Sequence, residues 1–481
     1  MKTKKILLLN PANFNESWGP LKAGGGINAP MGLLYLSAIL KKNGYEVIFL
    51  DANIHNMRAD EVADYIKQEK PDIVGITCVT ATFNYAKEYC KVIKSVSDKI
   101  LIVVGGPHIT AANECIMESD YIDMGVYGEG EYTMLELVNN FNRSTGSIEN
   151  IQNIKGLIFK NTGKCAVNPP RELIQNLDEL PLPDYKMLGD IRKYRIQIDA
   201  YRRFPIGTMI TSRGCPYQCI FCDRNTFGTR YREHSPERIF EEIKILYYEL
   251  GCKEIKFLDD MFTLKKERME KLCDMIINGD MDFTWSCSLR ADFLFEDMLK
   301  KMKSSGLWMV NVGIESGNQE ILKNIKKSLS LETVRKTVTI ANKTGIKVRA
   351  FFILGHPGET KQTMRDTLDF AKSLPLYTAQ FSLATPFLGT ELYNIAEKYG
   401  TRDKNLNQYS EKFPVFIPKG LTKEKLLEMH RRCYKEFYVR PLQLLSYILM
   451  IRTWSDIKRY YLGFKILMAM VLEFFKFRKN D

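Results

Sequence analysis

No window of this sequence reaches the ~18 uninterrupted apolar residues that a membrane-spanning helix requires. The first ten residues hold an apolar run of only four, Ile6 to Leu9, too short for a secretion signal, and this run is expected to be the first strand. No G-x-G-x-x-G opens the first helical stretch, so a dinucleotide is not favoured as ligand. The 11 cysteines show no regular pairing, which excludes a disulfide framework in a chain of 481 residues. Only one C-x2-C pair occurs, whereas zinc knuckles come in twos. The net charge of +12 is spread along the chain, so a nucleic-acid partner is not expected. What remains is an ordinary globular composition, 45% hydrophobic and 26% charged, long enough for about three domains.

Against that background one loop stands out, Cys215-Pro216-Tyr217-Gln218-Cys219-Ile220-Phe221-Cys222. Three thiols at C-x3-C-x2-C spacing directly follow the apolar run 207–211. Such a loop can place three thiolates on three irons of one cluster, leaving the fourth iron open to a ligand. A structural zinc site completed by a remote cysteine such as Cys252 is the other chemistry open to these residues. The spacing, with an aromatic residue before the last cysteine, resembles the signature of the radical S-adenosylmethionine superfamily. The resemblance implies a [4Fe-4S] cluster on Cys215, Cys219 and Cys222, with S-adenosylmethionine on the open iron. It also implies a one-electron donor such as flavodoxin or ferredoxin, and a cytoplasmic, anaerobic setting.

Residues 1–140 alternate short β-rich runs with helical patterns, which predicts a doubly wound parallel sheet. Strands are expected over 5–10, 46–51, 73–77, 100–105 and 121–127, with helices over 32–43, 60–70 and 84–96. The loop Asn10–Pro30, with Gly24-Gly25-Gly26, is expected to cover the crevice beyond the strand ends, where such sheets bind ligands. The stretches Pro30-Met31-Gly32, Gly105-Gly106-Pro107-His108 and Gly128-Glu129-Gly130-Glu131 resemble loops of the cobalamin-binding domain in one radical-enzyme branch. By that resemblance Gly105, Gly106, Pro107, His108, Gly128 and Glu129 contact cobalamin. Tight αβ corners need glycines too, so the residues alone leave both readings open. The D-x-H-x-x-G motif that supplies a cobalt-ligating histidine is missing, and Asp51-Ala-Asn-Ile-His55 has the wrong spacing. No histidine is therefore expected beneath the cobalt.

Residues 141–206 read as a connector, with a hairpin around Asn161-Thr162-Gly163 and a proline-rich crossing at 178–184. From 207 the β/α rhythm resumes, and six units to about 395 resemble the partial (β/α)6 barrel of the superfamily. Its strands are expected over 208–211, 254–258, 284–289, 309–314, 347–354 and 378–384, with reactive loops at their carboxyl ends. Asp259, Asp260, Arg290, Glu315, Ser316, Gly355 and Gly358 all fall there, and the resemblance implies that with Phe221 they hold S-adenosylmethionine. Arg290 is the residue expected to pair its carboxylate.

The last segment, 421–481, reads as helical, with apolar runs at 442–450 and 464–475. From 451 on, Arg452, Lys458, Arg459, Lys465, Lys476, Arg478 and Lys479 face only Asp456, Glu473 and Asp481. A basic amphipathic helix is either a cap on the barrel or a contact with the inner membrane surface. Four regions are thus expected: 1–140, 141–206, 207–420 and 421–481. The activity implied is radical cleavage of S-adenosylmethionine and cobalamin-dependent methylation of an unactivated carbon. The small-molecule substrate is expected to be apolar or lipid-like. A radical cyclase or other carbon-skeleton modification is the alternative, and a non-catalytic cobalamin or cluster sensor the third reading.

Overall fold

Residues 4–13, 26–142, 144–293, 295–405, 409–410, 413–451, 454, 456–457, 460–465 and 468 are described by the computed structural model. Most of the glycine-rich loop (14–25) and most of the run 464–475 lie outside these residues.

Five strands, β1 (Lys5–Asn10), β2 (Glu46–Asp51), β3 (Ile73–Thr77), β4 (Leu101–Gly105) and β5 (Met124–Val126), form a parallel sheet ordered β2-β1-β3-β4-β5. Helices cover both faces, so Ile6 to Leu9 can be apolar without alternation and are all fully buried. Chain order reverses between β1 and β3, the place where such sheets open a crevice beyond their carboxyl ends. The expected hairpin is present as β6 (Leu157–Asn161) and β7 (Lys164–Val167), but it does not stand free. β6 pairs antiparallel with β5 through Met124–Phe159, so the first sheet runs to residue 167. Its signal was a turn, and a turn does not say which edge a hairpin joins.

The second sheet contains six parallel strands in sequence order: β8 (Ile206–Met209), β9 (Glu254–Phe257), β10 (Thr284–Leu289), β11 (Leu307–Glu315), β12 (Lys347–Leu354) and β13 (Thr378–Leu383). Outward positions such as Ile255, Trp285, Val310, Phe352 and Phe381 pack under the helices.

The connector is a wedge. Leu177, Leu180, Tyr185, Leu188 and Ile191 are buried in the same core as Met31 and Leu34 of the first helix (Met31–Lys42) and Ile239 of the barrel's first helix (Pro236–Lys244). Burying five such side chains contributes on the order of 10 kcal/mol as an upper bound. The Tyr185 hydroxyl, buried with them, lies 2.6 Å from a Glu242 carboxyl oxygen and 2.9 Å from the Thr208 carbonyl oxygen, and its one hydrogen is shared between them, so its polar end is satisfied. The first helix, the connector and the barrel therefore share one core.

At the far end, helix Lys423–Tyr438 lies along β13. Its Tyr434 and Tyr438 hydroxyls exchange hydrogen bonds with the backbone of Phe381 and Ala379. This part of the C-terminal segment caps the barrel. Helix Pro441–Ile448 and the residues after it expose apolar side chains instead, with Ile448 63% and Trp454 77% accessible.

Candidate functional site

β8 delivers the chain to the cysteine loop through Thr211-Ser212-Arg213-Gly214. Asp259, at the end of β9, fixes this exit: one of its oxygens accepts from the Thr211 amide at 3.0 Å, the Thr211 hydroxyl at 2.8 Å and the Ser212 hydroxyl. Arg268 holds the other side, donating to the Thr211 carbonyl and hydroxyl. Gly214 has φ +86°, and a Cβ there would sit 2.3 Å from the Arg230 carbonyl oxygen, so no other residue fits. Beyond it Cys215 is half-buried, Cys219 buried and Cys222 exposed. The loop is tied down at Ile220, whose amide donates to Ile325 O and whose carbonyl accepts from the Leu392 amide. A hydrogen bond from Cys222 draws the Cys219 thiol down to about 7, and the Lys327 and Arg290 charges pull the same way.

Among the described residues no three His, Cys, Asp or Glu side chains converge on one metal ion. A cluster does not require it, since its thiolates bind separate irons. A single zinc does, and Cys252 cannot complete one, being buried behind β8 beside Leu246.

The rim residues sort into free and engaged. Asp260 is exposed. Glu315 adopts φ +71°, a strained conformation for a non-glycine residue, at a bulge in β11. It forms a buried ion pair with Lys327 at 2.7 Å, and Lys326 and Ser328 on either side of that lysine also have positive φ. The Phe221 ring lies 5.6 Å from that of His356 and 6.0 Å from the Lys327 ammonium. Gly355 and Gly358 frame a turn closed by Glu359, which accepts from the Gly355 and His356 amides. Burial pushes Glu359 up to about 8, and leaves both ring nitrogens of His356 without partners.

Two expected contacts look different in the structure. Arg290 is already paired with Asp292 at 2.9 Å, donates to the Lys327 and Ser328 carbonyls, and lies 3.6 Å over the Tyr217 ring. It shapes the cysteine loop and has no free fork for a carboxylate. Ser316 bonds Thr367 and caps the Asn318 amide, a local turn role.

At the carboxyl edge of the first sheet, Gly105 ends β4, while Gly106 has φ +100° and faces the Cys78 carbonyl, where a Cβ would lie at 2.8 Å. That glycine is required by the neighbouring strand, whatever binds above it. Pro107 starts a short helix. His108 is buried against Phe83 with Nδ1 3.2 Å from the Thr80 hydroxyl, and burial lowers it to about 4. Glu129 departs furthest from expectation. Its carboxylate accepts from Arg213, Arg232 and the Ile174 amide, all buried, so it has nothing left for a corrin. Glu131 takes the second arm of Arg213 at 2.6 Å, and the guanidinium lies between the Tyr35 and Phe227 rings, 5.2 Å from each. Beside it the Tyr35 hydroxyl meets His234, which bonds Asp178 of the connector. The loop after β5 is thus wired directly to the residue before Gly214-Cys215.

The Radical SAM superfamily profile matches residues 209–371, and the B12 binding domain profile matches residues 21–138. An uncharacterized methyltransferase of Pyrococcus horikoshii is 37% identical over 93% of this chain and 95% of its own length. The chain belongs to the cobalamin-binding branch of the radical SAM superfamily. An anaerobic magnesium-protoporphyrin IX monomethyl ester cyclase of Rubrivivax gelatinosus is 28% identical over 90% of this chain and 77% of its own. In fold, this radical SAM chain is similar to the methyltransferase TsrM of Kitasatospora setae with cobalamin and a [4Fe-4S] cluster bound. The TM-score is 0.71 at 18% identity, over 98% of this chain and 100% of that one.

Membership brings three cofactors: a [4Fe-4S] cluster, S-adenosylmethionine and cobalamin. The residues present fit them. Three thiols near two cations suit an anionic cluster with thiolate ligands, and the unpartnered His356 nitrogens and exposed Asp260 offer polar groups beside it. At the edge of the first sheet, a Cβ at Gly32 or Gly128 would meet nothing within 4 Å, so a large ring can approach bare backbone. Lys327 and the Arg213 network were not found by reading the sequence. Lys327 closes the stretch Lys323-Asn324-Ile325-Lys326-Lys327, which reads as ordinary surface charge.

Proposed function

We propose that this enzyme methylates an unactivated carbon of a small molecule. One observation carries the reading: the loop of the cobalamin-binding domain and the entry to the cysteine loop are joined by the buried pairs of Glu129 and Glu131 with Arg213. Two cofactors that must act on one carbon need such a fixed relation, because misplacement by an ångström is costly to rate. When bound, the cluster and S-adenosylmethionine supply a hydrogen-abstracting radical, and cobalamin supplies the methyl group.

In this reading Cys215, Cys219 and Cys222 hold the cluster, and Lys327 and Arg290 offset its charge. Phe221, Asp260, Glu315, Gly355 and Gly358 line S-adenosylmethionine, with Asp260 and Glu315 accepting from its ammonium. The backbone of Gly105, Gly106, Pro107 and Gly128 borders cobalamin. Asp259 and Glu359 keep strand exits and turns rigid, and Phe221 packed on His356 excludes water. The division into cobalamin domain, connector, barrel and C-terminal segment belongs to the same proposal. The test uses reduced, cluster-loaded protein, methyl-deuterated S-adenosylmethionine and extract from a host lacking the gene. A new mass carrying the label, with release of deoxyadenosine, is the expected result; an unlabelled product that has lost hydrogen would replace methylation with cyclisation.

Because D-x-H-x-x-G is missing and His108 is buried, protein loaded with hydroxocobalamin and desalted should retain close to one corrin per chain in base-off form. His55→Ala should leave that spectrum unchanged. A base-on spectrum lost in the His55 variant would overturn this arrangement.

The partner reading includes contact with an anionic membrane surface through the C-terminal residues. Leu445, Ile448, Leu449, Trp454, Tyr461 and Phe464 are each at least half exposed, in a stretch whose sequence is rich in Lys and Arg. Among the described residues no helix is long and apolar enough to cross a membrane. Protein should float with anionic liposomes at low salt and release as salt is raised. Equal flotation with neutral liposomes, or none at all, would exclude the charge-assisted contact.

A further inference from the structure

The six barrel strands turn alternate residues away from the helices, and that inner side is not a packed core. Lys256, Phe351, Ile353 and Gln380 on it are half-exposed, whereas their sequence neighbours Phe257, Phe352, Leu354 and Phe381 are buried. The lumen is therefore open, and its lower tier is polar. Lys256 is paired in register with Thr208 on one side and Ser286 on the other, and Asn311 is paired with Arg349.

The charged groups of this tier are unevenly hydrogen-bonded. Arg349 is answered by Asp199 at 3.1 Å and donates to Gln197 and to Gln380. Glu254 is committed to the Arg202 and Arg203 amides at 2.7 Å each, to Thr284 and to the Trp308 indole. Lys256 has neither ion pair nor hydrogen bond among the described residues, and burial together with Arg349 pulls it down to about 8. Beside it, the Ser286 hydroxyl and the Asn311 carbonyl oxygen are buried with no partner. Asp199 and Glu254 act on Lys256 only through space, so its ammonium and the neighbouring Ser286 hydroxyl are left without hydrogen-bond partners, an arrangement that a ligand with acceptor oxygens would satisfy.

We infer that the barrel lumen binds a substrate bearing an oxyanion, carboxylate or phosphonate in type, held by the Lys256 ammonium and the Ser286 hydroxyl. This rests on the methyl-transfer reading above and names its substrate class. Four residues of extended chain, about 13 Å, separate Lys256 from Asp260 at the rim. The anionic group is thus a handle at the floor, and the carbon to be methylated lies on the order of 10 Å above it. Phe351 and Ile353 offer the apolar wall between the two.

The experiment is calorimetric titration of the full chain at low salt with 4-phenylbutyrate, 3-phenylpropylphosphonate and the neutral 4-phenylbutyramide. Wild type should bind at least one anion about tenfold or more tighter than the amide. Lys256→Met should erase that preference and Lys256→Arg should keep it. Should the methionine variant misfold by circular dichroism, Lys256→Gln takes its place and the same ratio decides. The arm that binds tells carboxylate from phosphonate. An amide bound as tightly as the anions, no binding of any probe, or a preference surviving in Lys256→Met would each overturn the inference. No S-adenosylmethionine or reductant is present, so these failures leave methyl transfer standing. Failure of the cluster-loaded wild type to release deoxyadenosine counts against that reading alone.

Discussion

Cys215→Ala, Cys219→Ala and Cys222→Ala should each remove most bound iron and lower deoxyadenosine release by about a hundredfold or more. Cys252→Ala and Cys273→Ala should leave both near the wild-type level. The contrast follows from placement. The first three thiols sit on one loop pinned at Ile220 through both its amide and its carbonyl, with Lys327 and Arg290 nearby to balance thiolate charge. Cys252 and Cys273 are buried on the helix side, where burial pushes their thiols up to about 12 and about 11, unsuited to metal. Truncating them removes one sulfur from a core, a cost of about 1 kcal/mol, which a large core tolerates. Iron content and deoxyadenosine are measured on the same reconstituted samples, with circular dichroism as the folding control. Wild-type iron and cleavage in any of the three loop variants would end the cluster assignment.

Strand positions were legible because parallel strands buried on both faces leave continuous apolar runs. β1, β2, β3, β10 and β12 have the boundaries that the pattern predicts. The run 121–127 was read too long: only Met124–Val126 pair as strand, since Ile122 is buried by a turn. The cysteine loop and the Gly355 turn were legible because their chemistry is local, confined to a few adjacent residues. The partners of Glu129 were not. Arg213 and Arg232 lie 84 and 103 residues away, and a carboxylate between two glycines reads equally well as a ligand contact. Arg290 misled for the same reason, since Asp292 and the carbonyls that engage it come from a folded loop with no sequence motif. The open barrel lumen is a third case: alternating Lys256, Ser286 and Arg349 resemble any half-polar strand until the sheet curls round them.

Arg213→Met should destabilise the chain by about 3–5 kcal/mol, because it strands the Glu129 and Glu131 carboxylates in a buried seam with only Arg232 to answer them. Adding Glu129→Gln and Glu131→Gln should recover much of that loss, since the groups left behind are then uncharged. A purely local role for Arg213 would confine the damage to packing against Tyr35 and Phe227, and the two glutamines would then not help. The seam joins two sheets, so unfolding need not be two-state, and the midpoint in urea is the safer measure. Hydrogen exchange supplies the positional readout: amides over 212–222 should exchange faster in Arg213→Met and slow again in the triple variant. The apo protein suffices, so cofactor loading does not enter. A loss below about 1 kcal/mol in the single variant, or a triple variant no more stable than the single, would show that the seam does not hold the cobalamin domain against the cysteine loop.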